Sequence, residues 1–368
     1  MVVEAIKEGA AKEAHFIPVS ITYDQVIEEY KKEISGREKK KERTRDLLHL
    51  RKHLKKRYGK IYVRFGEPVS YSSTGLGTKD DVYKIASNVC AVINKGLIAT
   101  PSAVVAASAL NSGKRGLTEK ELTSNLKELI DYLKWKGVSF SQEITPENSG
   151  EKIMALDAMK LHKEFEPHFY EITDESRQTL DYYKNNIVHF FISAGCIAAI
   201  LLSYLERGLP RPSSEEICEL YMFCKRLFAL EFSFSTKMPL QEHVRKVLAY
   251  FDDNQISANP TRLAIFKNLI INFFESYLIV LNASINLRRM EEKVFLKTVI
   301  KYARHLHLLG RITRFEAVSI PVFNNAALWL TSEGILTREE DKKGRKFYSL
   351  SGKSDEAEKL KLTLQLLA

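Results

Sequence analysis

The spacing of apolar and polar positions changes character near residue 71. Residues 16–23, FIPVSITY, are a short β-branched run that is apolar on both faces, the pattern of an interior strand covered by helices on each side. Residues 24–57 are heavily charged with a helical period, and residues 61–65, IYVRF, read as a second strand closed by Gly66-Glu67-Pro68. Strand, helix, strand in this order predicts a right-handed parallel crossover. Residues 2–14 are amphipathic and read as the crossover helix ahead of residue 16. Two parallel strands do not make a stable sheet by themselves. The rest of the sheet is therefore expected from elsewhere, with Met1 an initiation or truncation point inside a larger α/β domain.

From residue 71 onward the period is helical almost throughout. Thr78 with Asp81, and more cleanly Thr118 with Glu121, have the spacing of capping boxes. Behind the second, Leu122, Leu126, Leu129, Ile130 and Leu133 form one apolar face, and Gly137 marks the stop. A polar loop over 139–150 precedes helices predicted at 151–164, 174–207, 213–232, 239–251, 260–285 and 289–309, with Leu209-Pro210-Arg211-Pro212 the clearest breaker. A helix over 320–333 and a hairpin of 335–340 with 345–351, turning at Lys343-Gly344, complete the pattern. The expected fold is mainly α: the end of an α/β sheet in 1–71, a helical domain in 72–290, and a winged-helix-like module in 291–368. No internal repeat is visible.

Composition narrows the function classes. At 368 residues, 45% apolar and 28% charged, the chain is of a soluble, folded type, and its net charge of +10 favours anionic partners. Cys90, Cys196, Cys218 and Cys224 have no C-x-x-C spacing, which argues against zinc and a disulfide framework. Residues 1–14 lack the apolar core of a signal peptide. Residues 187–205 are near the minimum length for a membrane span, with His189 the one side chain that titrates near neutrality. Internal Ser193, Gly195 and Ser203 and the lack of flanking basic clusters favour a buried core helix over a lipid-facing helix or a span.

Candidate chemistry is sparse. Gly75 and Gly77 lack a third glycine at dinucleotide spacing, and Asp80 and Asp81 occupy the turn where a phosphate would sit. Gly352-Lys353-Ser354 ends like a phosphate loop, but Phe347 stands where its first glycine belongs and no strand-to-helix context is expected. His49 and His53 lie one helical turn apart among Arg51, Lys52 and Lys55, which repel a cation, while His305 and His307 point to different sides of a helix. There is no G-x-S-x-G elbow, and none of the nine histidines has an aspartate five residues later. Neither a catalytic group nor a cofactor or metal site is assigned.

Residues 37–60 hold 12 Lys and Arg against three acids, with Leu47, Leu48, Leu50 and Leu54 between them. The favoured reading is a crossover helix whose leucines cover a sheet, with contact to an anionic membrane surface an added role for its outer face. Residues 294–351 have the outline of a winged-helix DNA-binding module, yet residues 320–330, which would enter the major groove, carry no Lys or Arg. Nucleic acid is therefore not expected as a partner.

Several stretches resemble the membrane-associated glycerol-3-phosphate acyltransferases, a family that includes dihydroxyacetone-phosphate acyltransferases. Phe16-Ile17-Pro18-Val19 with Tyr23 is similar to the fourth and last acyltransferase block, and YVRFGEP at 62–68 to the strand that follows it. Ile93-Asn94-Lys95, Ala99-Thr100-Pro101 and the 117–137 helix are similar to the next region. The most specific match is YYKNNIVHF at 182–190, which resembles the Tyr-Tyr-Arg-Asn-Asn-Ile-x-His signature of the helical C-terminal half. Phe315-Glu316-Ala317-Val318-Ser319 resembles a further block.

The resemblance implies acyl transfer from acyl-CoA or acyl carrier protein to glycerol 3-phosphate in phospholipid synthesis, at a membrane on its cytoplasmic side. It implies a general-base histidine in a His-x4-Asp motif, and a later Arg and a Phe-Pro-Glu-Gly block for the phosphate. None of those three blocks is in this sequence. The fourth alone carries over, placing Ile17, Pro18 and Val19 in the wall of the substrate site. Tyr183, Asn185, Asn186 and His189 carry over as a signature whose plain reading is helix packing, with the asparagines and the histidine within one turn of a helix. The chain is thus expected to be the C-terminal portion of such an enzyme, inactive alone, with a separate upstream chain able to pair through the shared sheet. A non-catalytic helical binding protein at a membrane surface is the alternative, with a winged-helix DNA-binding protein behind it.

Overall fold

The computed structural model describes residues 2–8, 11–24, 59–72, 79–145, 158–164, 166–234, 238–285 and 287–368. The expected helix over 24–57, His49, His53, nearly all of the basic run, and Gly75 with Gly77 lie outside them.

The N-terminal part holds α1 (Val2–Lys7), β1 (Glu13–Phe16), β2 (Val19–Tyr23), β3 (Ile61–Phe65), β4 (Val69–Ser72) and α2 (Lys79–Gly96). The helix expected over 2–14 ends early, and its last residues belong to β1. β1 pairs with β4, Phe16 opposite Val69, and β2 pairs with β3, Val19 opposite Phe65 and Tyr23 opposite Ile61. Both pairings are antiparallel, which corrects the expected parallel crossover. Strand and connector composition do not encode pairing sense, whereas this register sets Ile21 beside Val63.

The two pairs read as one ribbon with a bulge, Ile17-Pro18 facing Gly66-Glu67-Pro68. Pro18 has no N–H for the ladder, but its carbonyl accepts from Gly66 N at 2.8 Å. Gly66 lets α2 pack closely here, since a Cβ at this position would run into Val92 Cγ1 unless that side chain shifted. α2 covers one face, where Ser20 Oγ donates to the Ile93 carbonyl at 2.6 Å and Thr22 Oγ1 accepts from Ile98 N at 3.4 Å. The other face is exposed, so β2 is not the doubly covered interior strand that its apolar run predicts.

The helical body comprises α3 (Pro101–Ala109), β5 (Gly116–Thr118), α4 (Glu119–Trp135), β6 (Lys160–His162), β7 (Phe169–Glu171), α5 (Asp174–Asn185), α6 (Val188–Glu206), α7 (Ser214–Leu227), α8 (Leu240–Asp253), α9 (Pro260–Asn268) and α10 (Ile271–Ser284). The Thr118–Glu121 capping box opens α4 as expected, and Gly137 beyond its end has φ +73°. β7 lies between β5 and β6 in a small antiparallel sheet that periodicity did not reveal; residues 160–162 are strand rather than the end of a helix.

α6 is buried almost all round and forms the centre of the body, against α7, α8 and α9. Where it crosses α9, a Cβ on Gly195 would meet Ile270 Cδ1 at 2.8 Å and the Phe266 carbonyl at 3.0 Å. Residues 188–205 are long and apolar enough to cross a membrane, and 83% of that stretch is buried within the fold. The expected helices over 174–207 and 260–285 each break in two, the second with a bend of 66° at Leu269-Ile270. No Gly or Pro marks either break; Ile187 and Ile270 are fully buried, so packing sets them.

The C-terminal part adds β8 (Met290–Glu291), α11 (Glu292–Leu308), a 3-10 turn (Phe315–Ala317), α12 (Ile320–Ser332), β9 (Leu336–Glu340), β10 (Lys346–Leu350) and α13 (Ser354–Leu367). β10 lies between β8 and β9, all antiparallel, and the hairpin turns at Gly344 with φ +74°. α13, which packs on α10 and α6, was not apparent in the sequence pattern. Gly352-Lys353-Ser354 does join a strand to a helix, contrary to expectation, but Lys353 Nζ pairs with Glu356 at 2.9 Å.

Candidate functional site

The two C-terminal stretches that resemble family blocks, 182–190 and 315–319, meet in space. α5 carries the first into the core: Arg177, Leu180, Tyr183 and Lys184 share its buried face, so the helical period places two cations inside. Arg177 Nε donates to Glu316 Oε2 at 3.0 Å, while Nη1 and Nη2 reach the carbonyls of Lys114 at 3.2 Å and Ser112 at 2.7 Å. Both side chains of this pair are 2% exposed. A buried ion pair is tolerable only when its remaining donors are satisfied, as these are.

A second carboxylate and arginine lie alongside. Glu275 Oε1 accepts from Thr313 N at 2.6 Å and from Thr313 Oγ1 at 2.8 Å, and Oε2 accepts from Arg314 N at 3.0 Å. Arg314 in turn donates to the carbonyls of Leu110 at 2.6 Å and Asn111 at 2.9 Å. Burial raises the Glu275 carboxyl above its ordinary range and lowers Arg314 to about 10. These four groups tie the 110–114 segment, α5, α10 and the 3-10 turn into one unit.

Beside this unit is a cavity of about 370 Å³ lined by Asp181, Asn185, Glu231, Phe232, Phe273 and Glu316 among others. Lys184 Nζ lies 2.8 Å from Asp181 Oδ1 and donates to Asn272 Oδ1 at 3.0 Å. Asn185 Nδ2 donates to Asp181 Oδ2 at 2.9 Å. Burial raises Asp181 despite the neighbouring Lys184, and raises Glu231 to about 7. The cavity is apolar and carboxylate-lined, with no imidazole among its described lining residues.

The signature is therefore divided. Tyr183 packs in the core, Asn185 faces the cavity rim and Asn186 ends α5. His189 lies beyond the helix break and points elsewhere: its Nε2 is 3.2 Å from the Asn94 carbonyl of α2, to which the Nε2–H tautomer donates. Burial lowers the imidazole to about 4. A neutral histidine on a backbone carbonyl is a tether between α2 and α6 rather than an oriented base. The break corrects the expectation that Asn185, Asn186 and His189 share one helical turn.

Ile17, Pro18 and Val19 sit on the ribbon and do not line the cavity: Ile17 is exposed, Pro18 is buried at the bulge and Val19 is half-buried. Among the described residues, no three His, Cys, Asp or Glu side chains group to hold a metal. A larger groove of about 870 Å³ between α7 and α8 includes Arg211, Met222, Arg226 and Arg245 but no residue of either block. The network residues Arg177, Glu275 and Arg314 were missed in the sequence. A lone Glu275 inside INFFESYLIVL was the available signal, because an unpaired charge is rarely buried.

Comparison with known proteins agrees with the family resemblance. Residues 30–339 match the family described as "Glycerol-3-phosphate acyltransferase C-terminal region". The glycerol-3-phosphate acyltransferase of Pasteurella multocida is 28% identical over 296 residues, covering 73% of this chain and 36% of that protein. The Haemophilus ducreyi protein of the same name is 24% identical over 373 residues, covering 92% and 46%. That of Pseudomonas entomophila is 27% identical over 213 residues, covering 51% and 26%. The chain thus spans less than half the length of each of these relatives. Because residues 30–339 of the 368 lie in that match, the chain belongs to the glycerol-3-phosphate acyltransferase C-terminal region family.

Proposed function

We propose that this chain is the C-terminal portion of a glycerol-3-phosphate 1-O-acyltransferase, serving acyl transfer from acyl-CoA or acyl carrier protein to glycerol 3-phosphate in phospholipid synthesis. On this proposal it is inactive alone, and a part carrying the base, its aspartate and the phosphate-binding groups completes it. The observation that carries the proposal is that the two block-like stretches line one cavity, Asn185 and Val188 from the first and Phe315, Glu316, Val318 and Ser319 from the second, with no histidine among its described lining residues. That arrangement suits a scaffold better than an acid–base centre. Within it, the ribbon with Ile17, Pro18 and Val19 is the end of the acyltransferase sheet and forms a wall of the substrate site, residues 72–290 are the helical domain, and 291–368 are a winged-helix-like packing module. Work at the cytoplasmic side of an anionic membrane fits the basic run at 37–60.

Incubation of the purified chain with acyl-CoA and labelled glycerol 3-phosphate tests the proposal. No acylated product is expected; transfer proportional to protein added would refute it. The alternative, a non-catalytic helical protein at a membrane surface, is less favoured because the long apolar helix is enclosed by the fold. Flotation with anionic vesicles that persists at high salt would favour that alternative.

A further inference from the structure

We propose that the outward face of the β2–β3 ribbon is the docking surface for a catalytic acyltransferase half. The proposal rests on the function assigned above and names the surface and partner that it requires.

The ribbon has its polarity reversed. Ser20 and Thr22 are 4% and 5% exposed beneath α2, with their hydroxyls bonded to backbone groups. On the opposite face the directly paired Ile21 and Val63 are 48% and 50% exposed, Tyr23 and Ile61 are 42% and 60%, and Phe65 is 75%. A sheet with one solvated face normally turns its polar side outward. Five large apolar side chains on one face mark an interaction site rather than scattered surface residues.

The matched part of the relatives points to the occupant. More than half of the Pasteurella multocida and Haemophilus ducreyi proteins lies outside the match, which covers 36% and 46% of them. The bare face belongs to the stretch that resembles the last acyltransferase block. A strand covered on one side by α2 and on the other by further α/β structure is the layered arrangement in which apolar strands are ordinarily buried.

The test uses the tagged 368-residue chain, co-expressed with the portion of the Haemophilus ducreyi protein that precedes its match. The two are expected to copurify, with Ile21→Glu/Val63→Glu weakening the complex about tenfold or more. Val63→Thr, which preserves a β-branched strand residue, should weaken it less. Leu308→Glu, at an 84% exposed position on α11, should leave it intact. Unchanged unfolding curves for the unpartnered variants show that the ribbon still folds. Failure to copurify, or a complex indifferent to the double substitution, overturns the proposal. So does loss of folding of the chain alone, which would mean that its own residues cover the face, or a substitution-sensitive affinity for phosphatidylethanolamine–phosphatidylglycerol vesicles in place of the protein partner. A substitution-sensitive complex that transfers no acyl group supports the docking surface and counts against the function assigned above.

Discussion

Arg177 and Glu316 form a 3.0 Å ion pair across 139 residues, with each side chain all but removed from water. The pair fixes the 3-10 turn against α5 and, through the remaining guanidinium donors, holds the carbonyls of Ser112 and Lys114. Arg177→Met would leave a buried carboxylate and two unmet carbonyls, at a cost of about 3–5 kcal/mol. Glu316→Gln retains a hydrogen-bond acceptor for Arg177 and should cost less. The double substitution Arg177→Met/Glu316→Leu should cost less than the sum of the single losses, because the partners act together. Urea unfolding of the set measures this coupling.

Glu231 makes the fold less stable as pH rises. Its carboxyl, ordinarily near 4.5, holds its proton to about pH 7 in the folded chain because it is buried. The unfolded chain releases that proton first, so the contribution is fully present below pH 4.5 and is lost as pH rises through 7. It amounts to about 2–3 kcal/mol. Glu231→Gln should abolish this part of the pH dependence, read as the wild-type minus variant unfolding free energy between pH 5 and 8.

His189 acts in the opposite sense. Its imidazole, ordinarily near 6.5, is held neutral down to about pH 4 by burial against α2. That stabilising preference is complete above pH 6.5 and is lost as pH falls through 4. His189→Asn keeps a donor for the Asn94 carbonyl and should unfold with a shallower acid limb, by about 3 kcal/mol across that range.

Gly195 permits a close approach between α6 and the α9–α10 corner. Gly195→Ala would force Ile270 and the Phe266 backbone away from α6, and overpacking of this kind costs about 1–3 kcal/mol. Ala194→Gly on the same helix, which loses helix propensity and a buried methyl but introduces no clash, serves as a comparison. Thermal unfolding of both variants separates the two effects.

Much of the helical body was legible because amphipathic spacing and caps are local signals. Thr118 and Glu121 announced α4, and the hairpin at Gly344 followed from alternation and a turn glycine. The sense of the β2–β3 pairing was not legible, because it depends on which residues meet and not on either strand's composition. The breaks at Ile187 and Ile270 were hidden for a similar reason: helical propensity continues across both, and tertiary packing interrupts them. Of the candidate site, residues 182–190 and 315–319 were found by resemblance alone. That they line one cavity was beyond sequence reasoning, since it depends on packing α5 against a turn far along the chain.

The most direct test of the central claim compares two reactions containing acyl-CoA and labelled glycerol 3-phosphate. One contains the purified 368-residue chain, and the other contains that chain copurified with a catalytic half carrying the His-x4-Asp block. Lysophosphatidate is predicted in the second reaction and none above the protein-free control in the first. Product formation by the chain alone, or none by the assembled pair, would contradict the account.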